Sequence, residues 1–391
     1  SEQNTALGWR ALKGNTTGDN NIAIGSQALI NPDAESNNLA IGVGALGGAI
    51  AGGENNVAVG NFALDALTSA DKNTAVGYNA GTAITTAAEN TLLGYEAGQG
   101  ITEGGYNVLI GSLAGDAVQD GTGNVAVGRN ALGATTSGLR NIAIGQNALE
   151  DPDTENDNIG IGYNALSGTI AGGEYNVAIG SNSLDALTSG DANTGVGYNT
   201  QTNVTTGSNN TSLGDDAMND ISTGSGNVNI GDGTSNGANT NHSIVIGQAA
   251  AGKGSNTGFI SPNGGAVYQG NNSSSWSTTS DRRIKKNIED NTIGLEKINK
   301  IKVRNFEYRL PEEITEVPTH AAIKKEGVQV GAIAQEIQEV LPDTVVQTTH
   351  GVYSVNPDNI TWYLVNAVQE LSAQVTTLQQ ELKRSEEHTS E

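Results

Sequence analysis

The phrases Asn21-Ile22-Ala23-Ile24-Gly25 and Asn56-Val57-Ala58-Val59-Gly60 are two copies of a five-residue unit that recurs along most of the chain. Fifteen copies occur within residues 4–247, and all begin with Asn except the last, which begins with Ser243. Successive copies start 17 residues apart, except for two steps of 18, at 38→56 and 158→176, and a final step of 16. A fixed period of this length predicts a solenoid in which each repeat forms one turn.

The residue types within the unit predict its local structure. The fifth residue is Gly in every copy, which indicates a special backbone angle or a close approach that a side chain would prevent. The fourth residue is always aliphatic and the second is usually β-branched, so we predict a short strand whose second and fourth side chains face the core. The third residue is mostly small and would lie on the opposite face. A later Ala-Leu pair, such as Ala28-Leu29, predicts a second short strand in each turn.

The composition changes at residue 280. Residues 1–279 carry 24 acidic and 6 basic side chains and 49 of the 53 glycines, whereas residues 280–391 carry 18 acidic and 13 basic side chains. We therefore predict a solenoid shaft at 1–247, a Gly/Ser/Asn-rich bridge or tip at 248–279 and a mixed domain at 280–383. The sequence begins in mid-pattern, so we interpret it as a fragment, and we interpret residues 384–391 as a non-native tail.

Bulk charge and composition exclude several classes of function. The net charge of −23 argues against nucleic acid and anionic membranes as partners, because both select clustered Lys and Arg. The chain has no Cys and no apolar run long enough to span a bilayer, and no motif predicts a cofactor. The acidic stretch 151–157 lacks the calcium-binding repeat pattern, so we interpret it as a solvated surface and predict no metal. The recurring Asn is interpreted as an inward ladder that bonds the backbone of neighbouring turns.

Residues 280–391 alternate between helical and strand-like patterns. We predict helices over 282–290 and 292–301, with Ser280 or Asp281 capping the first. Strands are expected at 303–308, 328–334 and 353–355, and a short helix at 335–340. From residue 359 a long helix is predicted, whose apolar residues have heptad spacing over 359–383: Leu364, Val368, Leu371, Val375, Leu378 and Leu382. This spacing favours a coiled coil without deciding between two and three strands.

Two resemblances to known families arise from these motifs. The Asn-x-Ala-x-Gly phrases resemble the head repeats of trimeric autotransporter adhesins and similar phage tail fibres, which implies a left-handed β-roll assembled as a homotrimer. Residues 280–383 resemble the C-terminal intramolecular chaperone domain of phage tailspikes and fibres, the self-cleaving S74 peptidases. The motifs that match are the 280–285 segment Ser-Asp-Arg-Arg-Ile-Lys, the 330–336 segment with Leu341-Pro342-Asp343, and Tyr353 followed by the helix through Leu371.

The second resemblance implies a Ser-Lys protease that acts on its own chain. Ser280 would be the nucleophile and Lys285 the general base, and the cleaved bond would be Thr279–Ser280. A hydroxyl needs a base to become a good nucleophile, and a lysine can serve when burial or neighbouring cations favour its neutral form. Asp281 and Arg283 are expected to support the geometry. In the alternative interpretation, Ser280 and Asp281 only cap a helix that carries a basic face.

The sequence as a whole predicts a mainly β protein. With the two resemblances, it implies a trimeric left-handed parallel β-solenoid of about fifteen 17-residue repeats, followed by a small α+β chaperone domain that ends in a coiled-coil helix. The function that the resemblances imply is that of a virion tail fibre that binds a host cell-surface receptor or glycan, with the cleaved chaperone domain left in the host cytoplasm. One alternative is a bacterial trimeric surface adhesin whose C-terminal domain only trimerises. A glycan-degrading tailspike is disfavoured, because the shaft sequence shows neither a carboxylate pair in a cleft nor an aromatic sugar platform.

Overall fold

The computed structural model describes residues 3–151, 154–261, 267–269, 276–278, 282–314, 316, 325–347 and 351–389. The chain divides into two compact units, Ser1–Thr279 and Ser280–Glu391. Within these residues, the first unit contains one 18-stranded sheet and the second contains two small two-stranded sheets and three α-helices.

The first unit is a stack of short strands, one for each copy of the repeat. Strands β1 to β15 are Thr5–Leu7, Ile22–Ile24, Leu39–Ile41, Val57–Val59, Thr74–Val76, Thr91–Leu93, Val108–Ile110, Val125–Val127, Ile142–Ile144, Ile159–Ile161, Val177–Ile179, Thr194–Val196, Thr211–Leu213, Val228–Ile230 and Ile244–Gly247. Each strand pairs in parallel with the next, and equivalent residues stand opposite each other, as Ile22 does with Leu39. The predicted solenoid of about fifteen turns is confirmed.

The structure reverses the predicted core face of these strands. The middle residue points inward and is fully buried from the second turn onward, as Ala23 and Ala143 are. The aliphatic residues on either side lie on the outer face, where Ile22 and Ile144 are each 38% exposed. Our prediction that the second and fourth residues form the core was wrong. A turn of 17 residues encloses a narrow interior that the middle residue shares with the residue at a later corner of the turn. Where the middle residue is Ala23 the corner holds Leu29, and where it is Leu92 the corner holds Gly98.

Those leucines belong to the Ala-Leu pairs, which form turns rather than the predicted second strand. Ala28 and Leu29 are both fully buried, and Leu29 has φ +45°, a left-handed conformation that interrupts any strand. The backbone N–H of Leu29 donates to the carbonyl oxygen of Ala45 in the next turn at 2.9 Å. Neighbouring turns are therefore connected at this corner as well as through the sheet.

The invariant glycine stands where neighbouring turns approach most closely. Gly77 has φ +147°, and a Cβ at this position would lie 2.0 Å from the carbonyl oxygen of Gly94 in the next turn. Only a residue without a side chain fits, and this explains the fifth position of the repeat.

The turn before each 18-residue step contains a buried glutamate that the sequence did not suggest. Glu35 is 6% exposed, and its Oε1 accepts a hydrogen bond from the N–H of Gly52 at 2.7 Å. Glu155 is 4% exposed, and its Oε1 accepts from the N–H of Gly172 at 2.8 Å. Backbone amides thus satisfy these carboxylates, and each pair fixes the longer turn against the preceding one.

The sheet continues beyond residue 247 into the segment expected to be a bridge. Strand β16 (Gly258–Ser261) pairs in parallel with β15, and Phe259 packs with Val245 and Ala250 in a small buried cluster. Strands β17 (Val267–Gln269) and β18 (Trp276–Thr278) then pair antiparallel, so the end of the first unit has a different strand direction from the repeats.

The second unit is a small α+β structure. Strand β19 (Arg304–Phe306) pairs antiparallel with β20 (Gln329–Gly331), and β21 (Val345–Gln347) pairs antiparallel with β22 (Tyr353–Val355). Its helices are α1 (Leu295–Ile298), α2 (Ala334–Val340) and α3 (Pro357–Thr389). Short 3-10 helices lie at Arg282–Ile284, Pro311–Glu313 and Pro342–Thr344.

Most of these elements were predicted, but the prediction of the first helix was wrong. A helix over 282–290 was expected, and only the three-residue 3-10 helix Arg282–Ile284 forms there. The helix expected over 292–301 is reduced to the four residues of α1. The long C-terminal helix and the mainly β fold class are confirmed. Among the residues that the structure describes, no helix is long and apolar enough to cross a membrane.

Candidate functional site

The predicted site is the segment that joins the two units. Thr279, Ser280 and Asp281 lie outside the described residues. Arg282 and Arg283 are exposed within the 3-10 helix, and the N–H of Lys285 donates to the carbonyl oxygen of Arg282 at 3.2 Å. This bond closes a single helical turn between Arg282 and Lys285.

The side chain of Lys285 is exposed in the single chain. A lysine acts as a base in its neutral form, which burial or nearby positive charge favours. Arg282, Arg283 and Lys286, which neighbour Lys285 in sequence, are exposed as well.

The other motif stretches share one core. Ile337 and Leu341 are each 1% exposed and Tyr363 is 6% exposed, and together they form the centre of the second unit. Ile293, which follows the predicted site, packs against this cluster, as does Val355 of β22. The core therefore connects the segment after Lys285 with α2, β22 and α3.

A partly buried hydrogen bond fixes α3 to the turn after α2. The hydroxyl of Tyr363 donates to Oδ2 of Asp343, and Nδ2 of Asn359 donates to the same oxygen at 3.3 Å. The hydrogen bond to the Asp343 carboxylate, together with burial, raises the pKa of Tyr363 to about 12. Asp343 belongs to the Leu341-Pro342-Asp343 motif, so the structure assigns this carboxylate an anchoring contact.

A second set of contacts joins α3 to the segment that follows Lys285. Nδ2 of Asn366 donates to the carbonyl oxygens of Asn291, at 3.0 Å, and Ile293, at 3.1 Å. The N–H of Leu295 donates to Oε2 of Glu370 at 2.8 Å. Sequence reasoning missed these contacts, because the partners are about 75 residues apart.

An ion pair connects β19 with α2. Arg304 donates through Nη2 to Oε1 of Glu336 at 2.7 Å and through Nε to Oε2 at 3.2 Å. This hydrogen-bonded pair raises the pKa of Arg304 and lowers the pKa of Glu336. Glu336 ends the 330–336 motif, and the two-pronged geometry gives it a structural role in holding α2 to the sheet.

The apolar seam of α3 has no partner within the described chain. Its leucines and valines are 45–65% exposed: Leu364, Val368, Leu371, Val375, Leu378 and Leu382. A contiguous apolar strip of this kind on a soluble protein indicates an interaction surface.

The described residues contain no group of three or more acidic or histidine side chains placed to hold a metal ion. Within the acidic stretch, Asp157 forms an ion pair with Arg140 at 2.6 Å and Glu155 bonds backbone amides. The two carboxylates therefore have protein partners.

The comparison with protein families matches residues 280–346 to the Peptidase S74 family, described as a chaperone of endosialidase. No curated protein matches the chain. The matched segment covers a minor part of the 391 residues, begins at Ser280 and includes α1 and α2. The chain thus joins a β-solenoid of about fifteen turns to a segment, residues 280–346, that is similar to the Peptidase S74 chaperone-of-endosialidase domain.

Proposed function

We propose that this chain is a trimeric fibre whose C-terminal domain assembles three copies and then releases itself by cutting Thr279–Ser280. The observation that carries the proposal is the position of the family match. It begins at Ser280, the first residue of the second compact unit. A protease that removes its own domain is expected to cut at such a boundary, because both products then remain whole.

The outer face of the solenoid sheet supports assembly with further copies. Aliphatic side chains at the second and fourth repeat positions are 38–50% exposed on many turns, including Ile22, Leu93, Ile144, Ile179, Leu213, Ile230 and Ile244. A second copy has the same spacing of ~4.8 Å between strands, so its row of side chains can match this face along the whole stack. The number three follows from the resemblance of the repeats to trimeric adhesin heads and fibres.

The proposed chemistry uses two residues of the 280–285 segment. Lys285 accepts the proton of the Ser280 hydroxyl as its oxygen attacks the carbonyl carbon of Thr279. The Thr279–Ser280 C–N bond breaks, an ester forms between Thr279 and the Ser280 oxygen, and the proton passes to the released amino group. Water then hydrolyses the ester to give a Thr279 carboxylate and a free Ser280 hydroxyl. Asp281 and Arg283 support the geometry.

Cleavage follows assembly in this proposal. Three solenoids must pair in register over many non-local contacts, a slow process that is prone to misassembly. The coiled-coil seam of α3 brings the three chains together, and the three solenoids then pair turn by turn, starting from their C-terminal ends. Removing the domain afterwards makes the product difficult to unfold and reassemble, since the folding aid is gone. The released domain would remain in the host cytoplasm, and the fibre would leave with the virion.

The shaft is proposed to bind a host cell-surface receptor or glycan. The structure brings together three exposed aromatic rings that the sequence analysis had not recognised as a group. The rings of Tyr78 and Tyr95 stack with centroids 5.7 Å apart, and Phe62 meets Tyr78 edge-on at 6.2 Å. A glycan array probed with the cleaved trimer tests this role, and loss of signal in Tyr78→Ala with Tyr95→Ala would assign the contact.

Expression of the chain followed by denaturing electrophoresis and intact-mass measurement tests the protease. We expect two fragments that meet at Thr279–Ser280, and a single uncut chain from Ser280→Ala and from Lys285→Met. Light scattering should give a trimer before and after cleavage. An uncut wild-type trimer would contradict the proteolysis and leave the alternative of an adhesin whose C-terminal domain only trimerises.

The outer-face contact has its own test. Ile144→Asp places a charge on the aliphatic face and should reduce the trimeric fraction. Ser137→Asp, an exposed position in a turn away from the strand, is the matched control and should remain trimeric. Equal trimer formation by both variants would contradict assembly through this face.

A further inference from the structure

Helix α3 contacts its own unit along one side and presents its heptad seam on another. The side chains that touch the rest of the unit are Tyr363, Asn366, Ala367 and Glu370. The seam residues Leu364, Val368 and Leu371 each follow one of these positions directly and are exposed. In heptad terms the contacting residues fall mainly at outward positions of a coiled coil. A coil formed through the seam therefore leaves the intramolecular contacts in place.

The outward contacts hold the segment that follows the proposed catalytic lysine. Asn366 binds the carbonyl oxygens of Asn291 and Ile293, and Oδ1 of Asn291 in turn accepts the N–H of Ile293 at 2.9 Å. Glu370 accepts the N–H of Leu295 at 2.8 Å. Lys285 precedes Asn291 by only a few exposed residues, so this anchored segment limits where the lysine can lie.

The contact of Glu370 compensates for a missing helix cap. Gly294 precedes α1 and has no side chain with which to cap it. The Glu370 carboxylate takes that place from another helix, since it accepts a free N–H of the first turn. A Cβ on Gly294 would lie 2.0 Å from Oε1 of Glu370, so the glycine leaves space for the carboxylate.

We propose that Asn366 and Glu370 are positioning residues for self-cleavage, which transmit the assembly of α3 to the segment carrying Lys285. The inference rests on the proposed function. When three α3 helices pair, each helix becomes rigid and holds 291–295 in one place relative to the threefold axis. The catalytic lysine then has a fixed anchor close behind it. Before pairing, the same contacts join two mobile partners, and cleavage is slow.

The experiment measures the cleavage rate of the full chain after it has assembled, using Glu370→Ala, Glu370→Gln, Gly294→Ala and the double variant Gly294→Ala/Glu370→Ala. Loss of one hydrogen bond to a charged group corresponds to about tenfold in rate, so Glu370→Ala and Gly294→Ala should each be slower by about this factor. Glu370→Gln keeps an acceptor oxygen for Leu295 and should recover most of the rate. The double variant should be no slower than Glu370→Ala, since both changes remove the same contact.

Gln380→Ala is the matched control, because it lies further along α3 at an outward heptad position. It should cut at the wild-type rate. The trimeric fraction, measured by light scattering, should be equal in all variants, which separates positioning from assembly. Wild-type chain that does not cut contradicts the proposed protease itself. Wild-type chain that cuts, together with variants that cut equally fast, overturns only the positioning role.

Discussion

The backbone N–H of Asn90 donates to Oδ1 of Asn73 at 3.0 Å, and Asn73 in turn donates through Nδ2 to the carbonyl oxygen of Ala87 at 2.8 Å. Both asparagines are fully buried. The same arrangement repeats from turn to turn, as in the bond from the Asn158 N–H to Oδ1 of Asn141. Each asparagine therefore satisfies backbone groups of the following turn at two points.

Replacing one asparagine should destabilise the solenoid strongly. Asn73→Ala leaves the Asn90 N–H and the Ala87 carbonyl buried without this partner, and each orphaned group costs about 1–3 kcal/mol. We expect a decrease of about 2–4 kcal/mol in the free energy of unfolding, seen as a lower guanidinium midpoint. Asn73→Asp keeps the acceptor oxygen but buries a charge, so this variant should be no more stable than Asn73→Ala. Gln146→Ala, an exposed control, should change the midpoint little, and equal midpoints for Gln146→Ala and Asn73→Ala would contradict the ladder.

Substitutions at Gly77 and Gly52 distinguish the cost of a steric clash between turns from the cost of backbone strain. Gly77 and Gly52 both have positive φ, but a Cβ on Gly77 would lie 2.0 Å from the Gly94 oxygen whereas a Cβ on Gly52 would meet nothing within 4 Å. Gly52→Ala should cost only the strain, about 1–3 kcal/mol. Gly77→Ala should also push two turns apart and prevent folding of a soluble shaft. The soluble yield and the circular dichroism of the two variants provide the comparison, and similar behaviour would contradict a steric role for Gly77.

The repeat made the solenoid predictable, but it did not reveal which strand face lies inside. Alternation in Ile22-Ala23-Ile24 defines two faces, and hydrophobicity alone would place the larger side chains inside. The structure does the opposite, because buried leucines such as Leu29 already fill the interior. The left-handed conformation of Leu29 is also unusual for a leucine, so the backbone preference of this residue type does not predict a turn.

In the second unit, local patterns identified α2, α3 and several strands, whereas long-range contacts were invisible. The spacing of Leu364 and Leu371 predicted an apolar seam, and the structure shows that seam exposed. The contact of Glu370 with Leu295 depends on how two distant segments pack. A single sequence carries no signal for such a pair. The predicted roles of Ser280 and Lys285 depend on the family resemblance and stay predictions.

Tyr363 should make the second unit sensitive to alkaline pH. Its pKa is raised to about 12, above the value near 10 for an unfolded tyrosine, mainly by the hydrogen bond to Asp343. The folded state thus holds the phenol proton more tightly, so this contribution to stability is complete below pH 10. It is lost as the pH rises from 10 through about 12, where the phenolate faces a carboxylate.

Ultraviolet titration should show a phenolate transition near pH 12 that disappears in Tyr363→Phe. Asp343→Asn is the sharper comparison, because it keeps the tyrosine and removes the charge, so the pKa of Tyr363 should move back toward 10. Between pH 10 and 12 the free energy of unfolding should fall more steeply in wild type than in Tyr363→Phe. A late transition that remains after Asp343→Asn would assign the shift to burial instead.

Replacing buried polar residues in the later turns of the solenoid should increase its stability. Gln201 is fully buried, and its Nε2 donates to Oγ of Ser212 at 2.9 Å and to the carbonyl oxygen of Thr194 at 2.8 Å, while its Oε1 has no partner. The equivalent residue of the preceding turn is Leu184, with φ +54° against +55° for Gln201, so leucine tolerates this backbone.

Gln201→Leu together with Ser212→Ala therefore restores the apolar pattern of the other turns, and we expect a stability gain on the order of 1 kcal/mol per chain. Gln201→Leu alone should gain less, because the buried Ser212 hydroxyl loses its donor. Guanidinium midpoints of the single and double variants measure the difference, with Gln146→Leu as an exposed control. A double variant less stable than wild type would mean that the glutamine amide stabilises these turns more than the unpartnered oxygen weakens them. The decisive result is which of the two variants has the higher midpoint. If burying the Gln201–Ser212 pair is costly, replacing both residues should stabilise the protein more than replacing Gln201 alone.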